Sequence, residues 1–92
     1  GGAAIIGIGQ LRSGASTQVC KTDRETIELA AEAEKVATDD TSATPYETVA
    51  NLVTGGYLKK TPKGTWTPTQ ATGTYVVSGA PYTAAQITAC NA

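Results

Sequence analysis

The two cysteines, Cys20 and Cys90, constrain the fold most strongly, because they lie near opposite ends of a chain of 92 residues. The sequence contains no histidine, so the usual partner ligand for zinc is missing and two cysteines alone cannot complete a zinc site. Two interpretations remain, one disulfide bond or two buried free thiols. A disulfide is typical of small exported domains, whose hydrophobic cores alone give marginal stability. We therefore expect one domain, with its ends joined by a disulfide.

The first nine residues, GGAAIIGIG, form an apolar segment without charge. Nine residues are too few for a membrane-spanning helix, which needs about 20. A signal peptide is not indicated, because no basic residues precede the apolar run. The segment is compatible with a buried strand or with the end of a membrane helix whose first half is absent from this sequence.

The strongest helical pattern covers residues 17–37. Thr22 and Glu25 fit a capping box at a helix start, but they fit equally well inside a helix that has already begun. We expect the apolar residues of this helix to form one stripe that packs on the rest of the domain. The predicted stripe contains Val19, Thr26, Leu29, Ala30, Ala33, Val36 and Ala37, and the opposite, solvated face contains Arg24, Glu28, Glu32 and Lys35.

A short second helix and three strands are predicted in the remainder of the chain. The helix should follow the polar loop 38–44, with Thr44 as N-cap, Pro45 at its first position and Glu47 closing the capping box, and should end at Gly55 and Gly56. Residues 64–67, 73–77 and 86–90 are rich in threonine and β-branched residues, which favours strands. The predicted fold is α+β, with a long N-terminal helix packed on a three-stranded antiparallel sheet.

Catalysis is not expected from this sequence. Without histidine the Ser-His-Asp arrangement cannot form, and no cofactor motif is present. Asp39 and Asp40 are weak candidates for calcium, since their spacing matches no EF-hand loop. Lys59, Lys60 and Lys63 form a small basic cluster, which is a weak candidate for surface contact with nucleic acid or an anionic polymer and which a solvated turn explains adequately. The net charge of −1 argues against a nucleic-acid partner.

The aromatic residues allow a second interpretation. Trp66, with tyrosines 57, 75 and 82, would serve as a contact platform in a small secreted adhesive or carbohydrate-binding module. The opposing interpretation is stronger, because a chain without phenylalanine needs these aromatic side chains for its core and the edge of that core.

The order of these features resembles type IV pilins and pseudopilins. An apolar tail, Ala3-Ala4-Ile5-Ile6-Gly7-Ile8, precedes a long alanine-rich helix that begins near Cys20-Lys21-Thr22-Asp23. Further along the chain come Pro45-Tyr46 and then Leu52-Val53-Thr54-Gly55-Gly56-Tyr57-Leu58-Lys59, the most specific part of the resemblance. The similarity covers nearly the whole chain in order, and it is loosest in the predicted strands.

The resemblance implies an extracellular filament subunit, anchored in the membrane before assembly and bound afterwards to copies of itself or to other pilins. Residues 1–16 would be the end of the filament-forming helix and a hinge, and residues 17–92 the globular domain. The family's processing site and the first half of its apolar helix are absent from this sequence, so the resemblance implies part of a pilin or the globular half of a split pilin. The predicted filament contacts are Ala3, Ala4, Ile5, Ile6, Ile8 and Leu11.

Overall fold

Three helices and a two-stranded antiparallel sheet make up the part of the chain that the computed structural model describes, residues 16–92. The elements follow in the order α1 (Thr17–Thr38), α2 (Val49–Thr54), β1 (Thr65–Thr69), β2 (Thr74–Ser78) and α3 (Ala84–Asn91). The domain is therefore α+β with a long first helix, as the sequence predicted.

The first helix, α1, has 22 residues, or about 33 Å of length, and the longest dimension of the domain is 36 Å. It begins after Ser16, whose side-chain oxygen accepts a hydrogen bond from the Val19 N–H. The helix therefore already runs through Thr22. It ends where Asp39 adopts a left-handed conformation with a φ of 51°. Among the described helices, none is long and apolar enough to cross a membrane.

The buried face of α1 is not the predicted stripe. Leu29 and Val36 are 60% and 70% exposed, and of the stripe only Ala30 is fully buried. The buried residues lie on the neighbouring flank and are Cys20, Asp23, Ile27, Ala30 and Ala31. At 100° per residue, Cys20, Ile27 and Ala31 share an arc of about 40°. The flank that carries the disulfide cysteine therefore faces the domain.

The second helix begins later than predicted. Thr48 caps it by accepting the Asn51 N–H on its hydroxyl, and Thr44 and Pro45 belong to the preceding loop. The Gln70 side chain bonds to both the N–H and the C=O of Tyr46, which fixes this backbone outside the helix. The expected left-handed residue at the helix end is Gly56, with a φ of 83°.

The sheet contains β1 and β2 alone in the described residues, so the prediction of a third strand at 86–90 was wrong. Those residues lie in α3, which starts with a complete capping box between Thr83 and Gln86. This local helix signal outweighed the β propensity of Ile87 and Thr88. The register of the hairpin pairs Thr65 with Ser78 and Thr69 with Thr74.

Side chains from two helices occupy the edge of β2 where a third strand would pair. The Tyr75 N–H donates to a carboxylate oxygen of Glu28 on α1, at 2.8 Å. The Val77 N–H donates to Asn91 Oδ1 at 2.9 Å, and Asn91 Nδ2 donates back to the Val77 carbonyl at 3.0 Å. Buried backbone groups need such partners. Side chains of the two helices therefore provide the hydrogen-bond partners that a third strand would give to the backbone of β2.

The C-terminal helix is fixed to α1 by one covalent and two polar contacts. The Cys20–Cys90 disulfide, which the sequence predicted, joins residues whose Cα atoms are 5.9 Å apart. Arg24 donates hydrogen bonds to the carbonyl oxygens of Cys90 and Ala92, at 2.9 and 3.2 Å. Both cysteines are buried in the core, with at most 1% exposure.

The core lies between α1, the inner face of the hairpin, α2 and α3. Tyr75 is its largest fully buried side chain, and its hydroxyl donates to the Glu47 carbonyl. Burial raises the pKa of this phenol, and the nearby carboxylates of Glu47, Glu34 and Glu28 raise it further. The other buried apolar residues outside α1 and α3 are Val49 and Leu52 of α2, with Leu58, Trp66, Val77 and Tyr82 of the hairpin and loops.

Loss of the disulfide should destabilise the domain strongly. The bridge closes a loop with a sequence separation of 70, for which chain entropy predicts a contribution of about 4 kcal/mol. We expect the Cys20→Ser/Cys90→Ser chain to unfold at a much lower denaturant concentration than the oxidised wild type. Reduced wild-type chain serves as the control and should behave like the variant. Equal unfolding midpoints for oxidised and reduced wild type would contradict this expectation.

Removal of the Asn91 side chain should weaken the edge of β2. We expect Asn91→Ala to lower the free energy of unfolding by about 1–3 kcal/mol, since it leaves two backbone groups of Val77 without their partner. Thr88→Ala on the exposed side of α3 is the matched control, because the Thr88 hydroxyl bonds only within the helix, to Ala84. Urea unfolding of the oxidised chains measures the free energy of unfolding of both variants. Equal losses for the two variants would rule out the proposed role of Asn91.

Candidate functional site

One face of α1 carries no charge and is only partly covered by the domain. We call it the uncharged face, and it consists of Gln18, Val19, Thr22, Thr26, Leu29, Ala33, Val36 and Ala37. Thr26 donates its hydroxyl to the Thr22 carbonyl, and Gln18 donates to the Thr22 hydroxyl. These polar groups are thus bonded within the helix. The apolar side chains of Leu29, Val36 and Ala37 are exposed on this face.

Beside the uncharged face, α1 forms one wall of an open groove with a volume of about 450 Å³. We call it the acidic groove. Glu28 is engaged inside the molecule, because it bonds to Arg24 as well as to the Tyr75 N–H. Glu25 and Glu32 are exposed and leave their charges open to solvent. The lining residues are Glu25, Glu28, Leu29, Glu32, Tyr46, Thr72 and Gly73.

Tyr46 forms the opposite wall of the groove and is held in place from several sides. Its backbone is bonded to the side chain of Gln70, and Lys35 Nζ lies 5.5 Å from the centre of its ring. Gly73 packs closely against the ring, and a Cβ atom at this position would lie 2.5 Å from Cζ of Tyr46. The turn glycine thus makes room for the aromatic wall.

The helix α1 carries five carboxylates and three basic side chains. The pKa of Glu34 is raised, first by desolvation and then by the negative charges of Glu47 and Asp40. Burial is therefore the main cause of this shift, and the two neighbouring acids add to it.

The sequence-predicted calcium candidates Asp39 and Asp40 lie at the end of α1 and in the following loop. Asp40 accepts the Ser42 N–H on Oδ1 at 2.9 Å, and hydrogen bonds from Ser42 lower the pKa of its carboxyl. Among residues 16–92, no group of three or more potential ligands is arranged to hold a metal ion.

The lysine cluster lies in the loop between α2 and β1, where Lys59, Lys60 and Lys63 are all exposed. We call these residues the lysine loop. Pro62 is buried within it, and the Trp66 indole donates to the Lys63 carbonyl at 2.8 Å. The loop is therefore anchored to the core while its charges face solvent.

The aromatic residues proposed as a contact platform lie mainly inside the domain. Trp66 is 7% exposed, Tyr82 is 5% exposed and Tyr75 is fully buried, whereas Tyr57 is half-buried at the periphery of the core. A flat ligand would find little aromatic surface here. The predicted filament contacts Ala3, Ala4, Ile5, Ile6, Ile8 and Leu11 lie outside the described residues.

Comparison with known proteins gives no relative, since no family model matches the chain and no curated protein or solved structure is significantly similar to it. The function must therefore be argued from the chain itself.

Sequence reasoning did not identify the acidic groove or the role of Glu28 at the edge of β2. Glu28 and Glu32 were predicted to lie on a solvated, charged helix face, and Glu25 was named only as part of a capping box. The opposite wall of the groove was not predicted, because Tyr46 and Gly73 approach α1 only through the tertiary fold.

Alanine at Gly73 should disturb the groove more than alanine at another turn glycine. Both Gly73 and Gly79 have a positive φ, at 75° and 77°, so either substitution costs about 1–2 kcal/mol in backbone strain. A Cβ at Gly79 meets only Thr65 Oγ1, at 3.8 Å. We expect Gly73→Ala to cost a further ~1–3 kcal/mol and to shift the NMR signals of the Tyr46 ring. The prediction is wrong if the two variants are equally stable and the ring signals stay in place.

Proposed function

We propose that this chain is a structural subunit of an extracellular filament of the type IV pilus or pseudopilus kind. Its α1 helix would pack against helices of neighbouring subunits, and the rest of the domain would face outward. The chain would act through assembly and not through catalysis. This proposal builds on the sequence resemblance to pilins described above.

The observation that carries the proposal is the uncharged face of α1. The domain packs on the flank that contains Ile27 and Ala31, although the larger apolar residues Leu29 and Val36 lie on the other side. An isolated small domain gains nothing from exposing such residues on its longest helix. Burial against another helix explains the absence of charge on this face and its content of alanine and threonine, which allow close approach.

The position of this face along the chain adds support. The helix that carries it follows the apolar segment of residues 1–9 after a short stretch, 10–16. A subunit whose apolar segment enters a helical filament core would bring the start of α1 close to that core. The uncharged face would then continue the same helix packing into the globular domain.

The covalent connection fits a subunit that bears tension. The disulfide links α3, the last helix, to the fourth residue of α1. A pull applied through the start of α1 would reach the C-terminal helix directly, through a bond that resists unfolding. Disulfides of this kind persist in oxidising, extracellular surroundings.

The carbohydrate-binding alternative receives no support of this kind. Its central residue, Trp66, is almost completely buried and its indole N–H is already bonded to Lys63.

The test is to place negative charges on the uncharged face in cells that make the protein naturally. We expect Ala33→Glu/Val36→Glu to reduce the amount of sheared surface filament at least about tenfold, because two buried charges would oppose helix packing. Ala50→Glu/Thr88→Glu, at exposed positions of α2 and α3, is the control with the same change in charge. It should leave filament yield unchanged.

Thermal unfolding of the purified variants shows whether each chain still folds. Normal filament yield from a folded Ala33→Glu/Val36→Glu chain would overturn the role of the uncharged face. Recovery of the wild-type protein only as a monomer in the medium would overturn the filament proposal as a whole.

A further inference from the structure

The charges of this chain are divided between its two halves. All eight acidic residues lie between positions 23 and 47, whereas residues 48–92 contain three lysines and no acid. Residues 16–47 also carry Lys21, Arg24 and Lys35, so their net charge is −5, and that of residues 48–92 is +3. A nearly neutral molecule thus has one strongly acidic part and one basic part.

The exposed charges of the two parts lie at opposite ends of the hairpin. Thr72 and Gly73 of the acidic groove form the turn between β1 and β2, whereas Lys63 precedes β1 at the open end. The five residues of β1 separate these ends by about 13–17 Å. In the structure of residues 16–92 the lysine loop makes no ion pair, whereas Arg24 pairs with Glu28. One molecule therefore does not pair its own loop with its own groove.

A second copy of the chain can make this pairing. We propose that the lysine loop of one copy docks in the acidic groove of the next. The exposed carboxylates of Glu25 and Glu32 would bind the ammonium groups. The ring of Tyr46 would contact the lysine methylenes.

The proposed contact is directional, because groove and loop are different surfaces. A contact of this heterologous type leaves one groove and one loop free at the two ends, so it repeats and builds an open chain of subunits. The inference rests on the proposed filament function and adds a contact between globular domains. It would set the order and spacing of subunits that helix packing alone does not define.

The closing experiment measures self-association of the full 92-residue chain by NMR, from about 0.05 to about 2 mM at low salt. We expect concentration-dependent shifts at Glu25, Glu32, Lys59, Lys60 and Lys63, which disappear in about 1 M NaCl because salt screens exposed charges. Glu25→Gln/Glu32→Gln should weaken association at least about tenfold. Asp39→Asn/Asp40→Asn, which removes the same charge outside the groove, should leave it within about twofold.

A mixing experiment identifies the partner surface. Lys59→Glu/Lys60→Glu and Glu25→Lys/Glu32→Lys chains should each remain monomeric, because groove and loop of one chain then carry the same charge. Their mixture should associate, because the intact groove of the first meets the intact loop of the second and the reversed groove of the second meets the reversed loop of the first. A wild-type chain that is monomeric at about 2 mM would overturn the proposal, as would equal effects of the groove and control variants. So would binding of a lysine-rich peptide without self-association, since the groove would then serve another partner.

These outcomes are separable from the filament test. Ala33 and Val36 do not line the groove, so filaments that depend on them without any groove–loop association would retain the proposed function and refute only the contact. Association through the groove in a chain that forms no filaments would support the contact and refute the proposed filament function.

Discussion

The outer edge of β2 presents backbone groups that need partners, and the way these are supplied determines the arrangement of the helices. Tyr75 and Val77 direct their N–H groups away from β1, where Glu28 of α1 and Asn91 of α3 accept them. Both helices must therefore lie against the same strand, each at a fixed position along it. The disulfide and Arg24 then join α1 and α3 to each other, so α1, α3 and β2 are all connected to one another.

The opposite edge of the sheet is protected differently. Pro68 is paired with Tyr75, whose N–H points outward, and in an antiparallel pair the nitrogen of Pro68 therefore faces outward as well. Proline has no donor there, so it loses no bond within the sheet and offers none to another strand. Because helix side chains cover the edge of β2 and Pro68 offers no donor on the edge of β1, addition of another strand is disfavoured on both edges. The contacts that we propose for assembly accordingly use α1 and a loop, and no strand edge.

Much of the local structure could be predicted from the sequence, but its orientation could not. The long helix, the hairpin and the disulfide followed from periodicity, β propensity and the two cysteines. The rotation of α1 was missed, because an apolar stripe with Leu29 and Val36 predicts burial without saying whether the domain or a partner provides it. Residues 86–90 were read as a strand, since the competing signal, Thr83 with Gln86, precedes the β-branched run. The acidic groove depends on Tyr46 and Gly73, which only tertiary contacts bring to α1.

In the proposed assembly, the two surfaces of α1 would have different roles. An apolar face with small side chains packs closely, but residues at successive turns are alike, so its burial gives affinity with little preference for one axial position. Charged groups at defined positions along the helix would supply that preference. If a neighbouring subunit shifted by one turn, about 5.4 Å, its lysine would move away from Glu25 or Glu32. The helix itself fixes the spacing of Glu25 and Glu32, and Glu28 between them attaches this part of α1 to the sheet through the Tyr75 N–H. In the proposed assembly, the contact that positions α1 on the sheet would thus also set the position of the charges that a neighbouring subunit meets.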